Sequence, residues 1–253
     1  MKLKSIICCL LVFCMSWQAR ASETIDFETT LLNQGIQPNR AAILIQRLED
    51  GVVWSHGEDR IDKRFVAAST SKIPHTFIAI EEGYVDSANA RFEWDGQERF
   101  AASWNQDQTM ATAYTRSAVW VFQQITEALG PETMAAGIDR LDYGNEDTGG
   151  PEDITSYWLN GPLKISAREQ VEFLTRLYQE DLPLSAKSYV LGKEIMGSGR
   201  DDGRHAKTGW YYSNEAQDIG WYVGWQEVPA SDDQDSQTYV FNIHVKCEDV
   251  CLA

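Results

Sequence analysis

The chain has 253 residues, 43% of them hydrophobic, and a formal charge of −16. That length and apolar content suit one large domain, or one domain with a subsidiary lobe, around a buried core. Acidity on this scale argues against nucleic acid or an anionic membrane as partner, so an anionic substrate would have to be drawn by local cations.

The first residues read as a secretory signal: Lys2 and Lys4 ahead of a short apolar run from Ser5 to Met15, then Ala19-Arg20-Ala21 as a small-x-small cleavage site. Residues 1–21 are expected to leave, and the mature chain to start at Ser22 in the periplasm. The apolar run falls short of the roughly 20 residues that span a bilayer, so no membrane anchor is expected. Val12 and Phe13 are too bulky to make Cys14 a lipoprotein site. Losing Lys2, Lys4 and Arg20 takes the charge from −16 to −19. Cys8, Cys9 and Cys14 leave too, and only Cys247 and Cys251 remain, as a pair at a strand end or as free thiols. One pair cannot replace a core, which excludes a disulfide scaffold.

Asp26 to Asn33 reads as a short helix stopped by Gly35. Ala41 to Leu48 and Val52 to Ser55 flank Asp50-Gly51, a hairpin signal. Ser117 to Leu129 reads as a helix ended by Gly130, with Pro131 opening the next. Ser166-Ala167-Arg168-Glu169 is a capping box, and Val171, Leu174, Leu177 and Tyr178 mark one apolar face behind it. Strands return at His205 to Tyr212, Ile219 to Glu227 and Thr238 to Val245. Strands, then helices, then strands predict an α+β fold. Both chain ends build one antiparallel sheet, with a mainly helical region inserted.

Ser69-Thr70-Ser71-Lys72 puts a hydroxyl and an amine about one helical turn apart, an arrangement suited to attack on an acyl group. A helix starting at Ser69 would also point free N–H groups at the reacting carbonyl, although Pro74 threatens a kink. A lysine of ordinary pKa is a poor base at neutral pH, and apolar walls such as Ile73, Val119 and Trp158 would lower it. A neutral amine can accept the Ser69 proton, or add carbon dioxide to become a carbamate with two oxygen acceptors. Ser117 of Ser117-Ala118-Val119 can relay a proton, or merely cap the following helix. Lys207 and Thr208 offer a cation and a hydroxyl to a substrate carboxylate. Gly209 lets a ligand approach the backbone, and the N–H groups of Ser69 and Trp210 could form an oxyanion hole. Each motif alone favours a bland reading, such as an N-cap serine or a strand running into a turn. Their order along one chain favours acyl transfer. His56, His75, His205 and His244 are scattered without ligand spacing, so no metal site is expected, and packing roles suit them better than catalysis.

Together with Ala68 to His75, Tyr143-Gly144-Asn145, Trp158-Leu159-Asn160-Gly161 and Gly220 to Trp225, these motifs make the chain resemble the class D, oxacillinase-type serine β-lactamases of the penicillin-binding superfamily. The resemblance runs from near Ala41 to about Val245. It implies a β-lactamase/transpeptidase fold and a hydrolase of cyclic amides that confers antibiotic resistance. It implies acylation of Ser69, with Lys72 carboxylated on its side chain as general base, Ser117 as relay and Trp158 donating its indole N–H to the carbamate. Lys207, Thr208 and Gly209 would hold the β-lactam, and Trp210 would complete the oxyanion hole. No cofactor is implied beyond the carbon dioxide or bicarbonate that carboxylates Lys72. Tyr143-Gly144-Asn145 is assigned a structural role. Val119 supports the class D choice, because class A enzymes place asparagine there and deacylate through a glutamate motif not found here. A homodimer is admitted.

Two departures stand out. Ser71 replaces the usual aromatic residue, which is expected to loosen the packing behind Ser69 and admit water near Lys72. Family members also continue to a carboxylate-binding arginine and a C-terminal helix. Counted from Phe241-Asn242, that arginine falls just past Ala253. Lys207 alone cannot give a bidentate fork, so a weaker hold on substrate and an exposed apolar sheet surface are expected. The rivals are a penicillin-binding transpeptidase or carboxypeptidase, a β-lactam sensor that stays acylated, and an inactive remnant.

Overall fold

The computed structural model describes residues 24–212, 218–231 and 235–247. The signal segment 1–21 and Cys251 lie outside them, as does the side chain of Cys247. The helices are α1 (Phe27–Asn33), α2 (Glu58–Ile61), α3 (Lys72–Glu81), α4 (Met110–Thr115), α5 (Val119–Leu129), α6 (Pro131–Arg140), α7 (Ala167–Tyr178) and α8 (Ala186–Gly197). The strands are β1 (Ala41–Arg47), β2 (Val53–His56), β3 (Phe65–Val66), β4 (Arg91–Phe92), β5 (Gln108–Thr109), β6 (Lys164–Ile165), β7 (Arg204–Tyr211), β8 (Asp218–Val228) and β9 (Gln237–Cys247).

Five strands form an antiparallel sheet in the order β2-β1-β9-β8-β7. The two ends of the chain meet where β1 pairs with β9, with Ala41 opposite Val245 and Arg47 opposite Tyr239. The first hairpin closes through Arg47, which grips the Asp50 carboxylate with Nε at 2.9 Å and Nη2 at 2.8 Å. On β8 the alternate residues Ile219, Trp221, Val223 and Trp225 are buried in the main core. Burying such large side chains stabilises the fold by about 2 kcal/mol each before the cost of ordering them. Helix α7 packs across β1, β8 and β9, and α8 packs on β7. The capping box of α7 forms as the sequence predicts: Ser166 Oγ accepts from the Glu169 N–H, and the Glu169 carboxylate accepts from the Ser166 N–H. On the opposite face, Leu31 of α1 covers Ala41 and Ile43. Further along, Ile45, Trp54, Tyr239, Phe241 and Ile243 line an apolar groove of about 410 Å³.

Helix α3 is the centre of the molecule. Every residue from Lys72 to Ile80 is buried, and α5, α6 and α8 pack around it. A helix buried on all sides carries whatever polar group it bears into a dry interior. Pro74 does not interrupt it. It stands in the first turn, where its missing N–H would have had no intrahelical partner.

Candidate active site

Ala68–Ser71 form a single 3₁₀ turn that runs directly into α3. Ala68, just before the candidate nucleophile, has φ +48°, a conformation that costs a residue with a Cβ about 1–2 kcal/mol. The turn brings Lys72 Nζ to 2.9 Å from Ser69 Oγ. Lys72 has no exposed surface, and its amine sits 5.1 Å from the centre of the Phe122 ring. Burial, reinforced by the charge of Lys207, pushes the amine well below the usual lysine range, so the neutral form is favoured. Ser71 does not loosen this packing as its size suggests. It is fully buried, and its hydroxyl donates to Ala68 O at 2.7 Å.

Ser117 is not the first residue of a helix. Helix α5 starts at Val119 behind Ala118, and Ser117 has φ +60°. The Ala118 N–H reaches Ala113 O at 2.9 Å and the Ser117 N–H reaches Tyr114 O at 3.2 Å. Those two bonds are the Schellman closure of α4, which places Ser117 at the left-handed position usually filled by glycine. Ser117 therefore closes α4 and does not cap α5. Its Oγ is buried without a protein partner.

On β7, the edge strand of the sheet, Lys207 is 2% exposed and donates to Thr208 O at 3.0 Å. Desolvation, aided by Arg200, lowers its pKa to about 7. Gly209 also has a packing role that its motif does not announce. A Cβ there would lie 3.0 Å from Thr70 Cγ2 and 3.1 Å from Thr70 N. The missing side chain lets β7 close onto the turn that carries Ser69. Thr70 is fixed in turn from behind. Its hydroxyl donates to Ala67 O at 2.6 Å, accepts from Gln170 Nε2 at 2.8 Å, and lies 3.2 Å from Tyr143 Oη.

Tyr143-Gly144-Asn145 takes the structural role expected of it. Asn145 bridges to the loop that carries Trp158, donating to Pro162 O at 2.9 Å and accepting from the Lys164 N–H at 2.7 Å. A Cβ on Gly144, whose φ is +67°, would collide with Lys164 O at 2.3 Å. The same loop reaches the nucleophile turn through Ala67 N–H to Leu163 O at 3.2 Å. Trp158 is wholly buried, its indole Nε1 without a partner.

Ser69, Ser117, Val119, Thr208, Gly209 and Trp210 all line one cleft of about 830 Å³. Lys72, Lys207 and Trp158 stand behind its wall as buried groups. The sequence reading missed the outer wall, where Phe100, Trp104 and Leu159 supply apolar surface. Phe100 is 79% exposed, with its ring 6.4 Å from that of Trp210. The available signal was aromatic: Phe100 and Trp104 in a polar segment without periodicity. Arg116, also missed, brings a cation to the same cleft. The histidines are dispersed as expected. His205 stacks on Trp225, His244 packs on Trp221, and His56 bonds Pro38 O. Among the described residues no three His, Cys, Asp or Glu side chains gather as metal ligands, and no helix is long and apolar enough to cross a membrane.

Residues 39–248 match the penicillin binding protein transpeptidase domain. The fold superposes on the class D β-lactamase YbXI from Nostoc with a TM-score of 0.81 and 32% identity, covering 89% of this chain and 91% of that one. The chain belongs to the class D β-lactamases. FUS-1 (OXA-85), a class D β-lactamase from Fusobacterium nucleatum subsp. polymorphum, gives a TM-score of 0.77 at 32% identity over 88% of each chain. β-Lactamase OXA-48 of Klebsiella pneumoniae is 40% identical over 171 residues, 67% of this chain and 63% of its own length. β-Lactamase OXA-2 of Salmonella typhimurium is 40% identical over 172 residues, 67% of this chain and 60% of its own length. The chain thus spans less than two thirds of these two class D relatives.

Proposed function

We propose that this protein hydrolyses β-lactam antibiotics through an acyl-enzyme on Ser69, with carboxylated Lys72 as the general base. The observation that carries this reading is the 2.9 Å approach of a fully buried lysine, its pKa pushed down by that burial, to the serine hydroxyl. The residues fit a carbamate. An uncharged amine is the form that adds carbon dioxide, losing one proton, and Trp158 Nε1 is a buried donor in want of an acceptor.

In acylation, carboxylated Lys72 takes the Ser69 proton as Oγ bonds to the lactam carbonyl carbon. The developing oxyanion faces the N–H groups of Ser69 and Trp210. The ring C–N bond breaks, and Ser117 delivers its proton to the leaving nitrogen while taking from Lys72 the proton that came from Ser69, so that Lys72 is free to act as base again. In deacylation Lys72 takes a proton from water, hydroxide adds to the ester, and Ser69 leaves with the proton restored. One water is consumed per ring opened. Lys207 and Thr208 receive the substrate carboxylate, and Arg116 adds positive charge at the cleft. Phe100, Trp104 and Leu159 receive the apolar side group. Secretion through residues 1–21 to the periplasm would put this chemistry where the antibiotic acts.

The test is purified mature protein mixed with a chromogenic β-lactam, with and without bicarbonate, and the adduct followed by mass. Turnover stimulated by bicarbonate, with a transient adduct on Ser69, is expected. A stoichiometric adduct that persists would instead assign the site to a sensor or transpeptidase.

A further inference from the structure

Two rings separate Lys72 from a simple hydrophobic pocket. His75 follows Lys72 by three residues on α3, so the two side chains share a face of a rigid, buried helix. The His75 ring meets the Trp158 ring edge-on, with centroids 4.8 Å apart and an interplanar angle of 84°. Its Nε2 lies 2.6 Å from the hydroxyl of Tyr157, which is itself fully buried. Tyr157 also meets Trp158 edge-on at 4.9 Å, but it belongs to the same loop as Trp158 and cannot register that loop against the helix. His75 can.

We propose that His75 is a positioning residue: pinned by Tyr157, its ring holds the Trp158 indole so that Nε1–H faces the carboxylated side chain of Lys72. The inference rests on the carbamate reading above and adds a residue to it. Packing alone does not call for this pair. An apolar ring would fill the volume without burying an imidazole whose Nδ1 has no partner. The imidazole stays neutral, because burial lowers its pKa to about 3. It therefore adds no competing cation beside the amine. What the hydrogen bond to Tyr157 supplies is a fixed ring orientation, and the edge contact passes that orientation to Trp158.

Titrating the full mature chain with ¹³C-bicarbonate and following the carbamate resonance by NMR tests this directly, with turnover read in parallel. His75→Ala removes the wedge and should raise the half-saturating bicarbonate concentration tenfold or more. Tyr157→Phe frees the ring without removing it and should raise that concentration about threefold. His75→Phe keeps a ring against Trp158 and should bring the value back to within about threefold of wild type. Saturating bicarbonate should restore much of the turnover in all three. A purely structural role would lower the melting temperature and leave half-saturation in place. If His75→Ala does not fold, Tyr157→Phe decides. Unshifted titrations in folded variants overturn the proposal and leave the carbamate reading intact. A wild-type protein with no carbamate resonance at any bicarbonate concentration overturns both.

Discussion

Replacing Lys207 by methionine separates what this lysine does for catalysis from what it does to the fold. Met has similar length and no charge, so it fills the slot between Thr208 and the Tyr114 ring, which lies 5.7 Å from the present ammonium. The wild-type amine falls from 10.5 to about 7 on folding, because it is desolvated and Arg200 adds repulsion. In the unfolded chain it keeps its ordinary value. Between pH 7 and 10.5 the unfolded state therefore binds more protons, and stability rises with pH through that window. Below pH 7 the penalty is fully present. At about 1.4 kcal/mol per pH unit it is of the order of 5 kcal/mol, a large share of the 5–15 kcal/mol that holds a typical domain. Lys207→Met should thus stabilise the protein by about 2–5 kcal/mol at pH 6, and the gain should shrink toward zero by about pH 10. Urea unfolding of both proteins at pH 6, 7, 8 and 9 measures this, and the same samples should show a strongly raised KM. A Met variant that is less stable at pH 6, or whose advantage does not change with pH, would refute the argument that the ammonium is held against its solvation.

Lys72→Ala should lower turnover by about 10²–10⁴-fold, since general base catalysis is worth that much, and a normal steady-state rate in this variant would remove Lys72 from the mechanism. Gly209→Ala puts a methyl 3.0–3.1 Å from Thr70, so β7 and the nucleophile turn must separate by a few tenths of an ångström. The expected cost is about 1–3 kcal/mol in chemical denaturation and tenfold or more in the rate of Ser69 acylation; unchanged values for both would show that the contact yields freely. Ser71→Phe forces a large ring into a site that is already closed. It should destabilise by about 1–3 kcal/mol, and a higher melting temperature would mean that the packing has more slack than the burial of Ser71 indicates.

What the sequence made legible was whatever depends on local chemistry. The Asp50-Gly51 turn, the Ser166 capping box and the alternation along β8 each declare an element from adjacent residues, and the observed bounds of all three C-terminal strands lie within two residues of those expected. Ser69 and Lys72 were legible as a candidate nucleophile and base because their spacing alone brings hydroxyl and amine together. Functions that arise from distant packing were not. Ser117 looks like the start of α5, yet the closure of α4 takes it first and holds it at positive φ. Gly209 lines the cleft, but its bare Cα also makes room for Thr70, a packing role that no local pattern announces. Lys207 lies on an edge strand, where a lysine is usually solvated, but the helical region covers it. The segment carrying Phe100 and Trp104 has a two-residue strand at each end, β4 and β5, one 3₁₀ turn at Ala102–Trp104, and no periodicity to announce that it walls the cleft.

These discrepancies share a cause. Several features that locally weaken this fold are gathered around Ser69: two residues at positive φ, two lysines stripped of water, and buried polar atoms on Ser117 and Trp158 without partners. Each costs of the order of 1 kcal/mol or more, and none is compensated by its own neighbours. They persist because α3 is enclosed on all sides and the sheet buries Trp221 and Trp225 beneath the helices. Rules of local consistency fail at the site because the site is held by the rest of the molecule. The unsatisfied groups are, on this view, aligned with the reaction: a carbamate, a leaving nitrogen and a substrate carboxylate would each complete a bond that the protein alone leaves open. Ligand binding should therefore stabilise this protein more than contact area alone would suggest, because it relieves strain and unpaired polarity already present in the folded state.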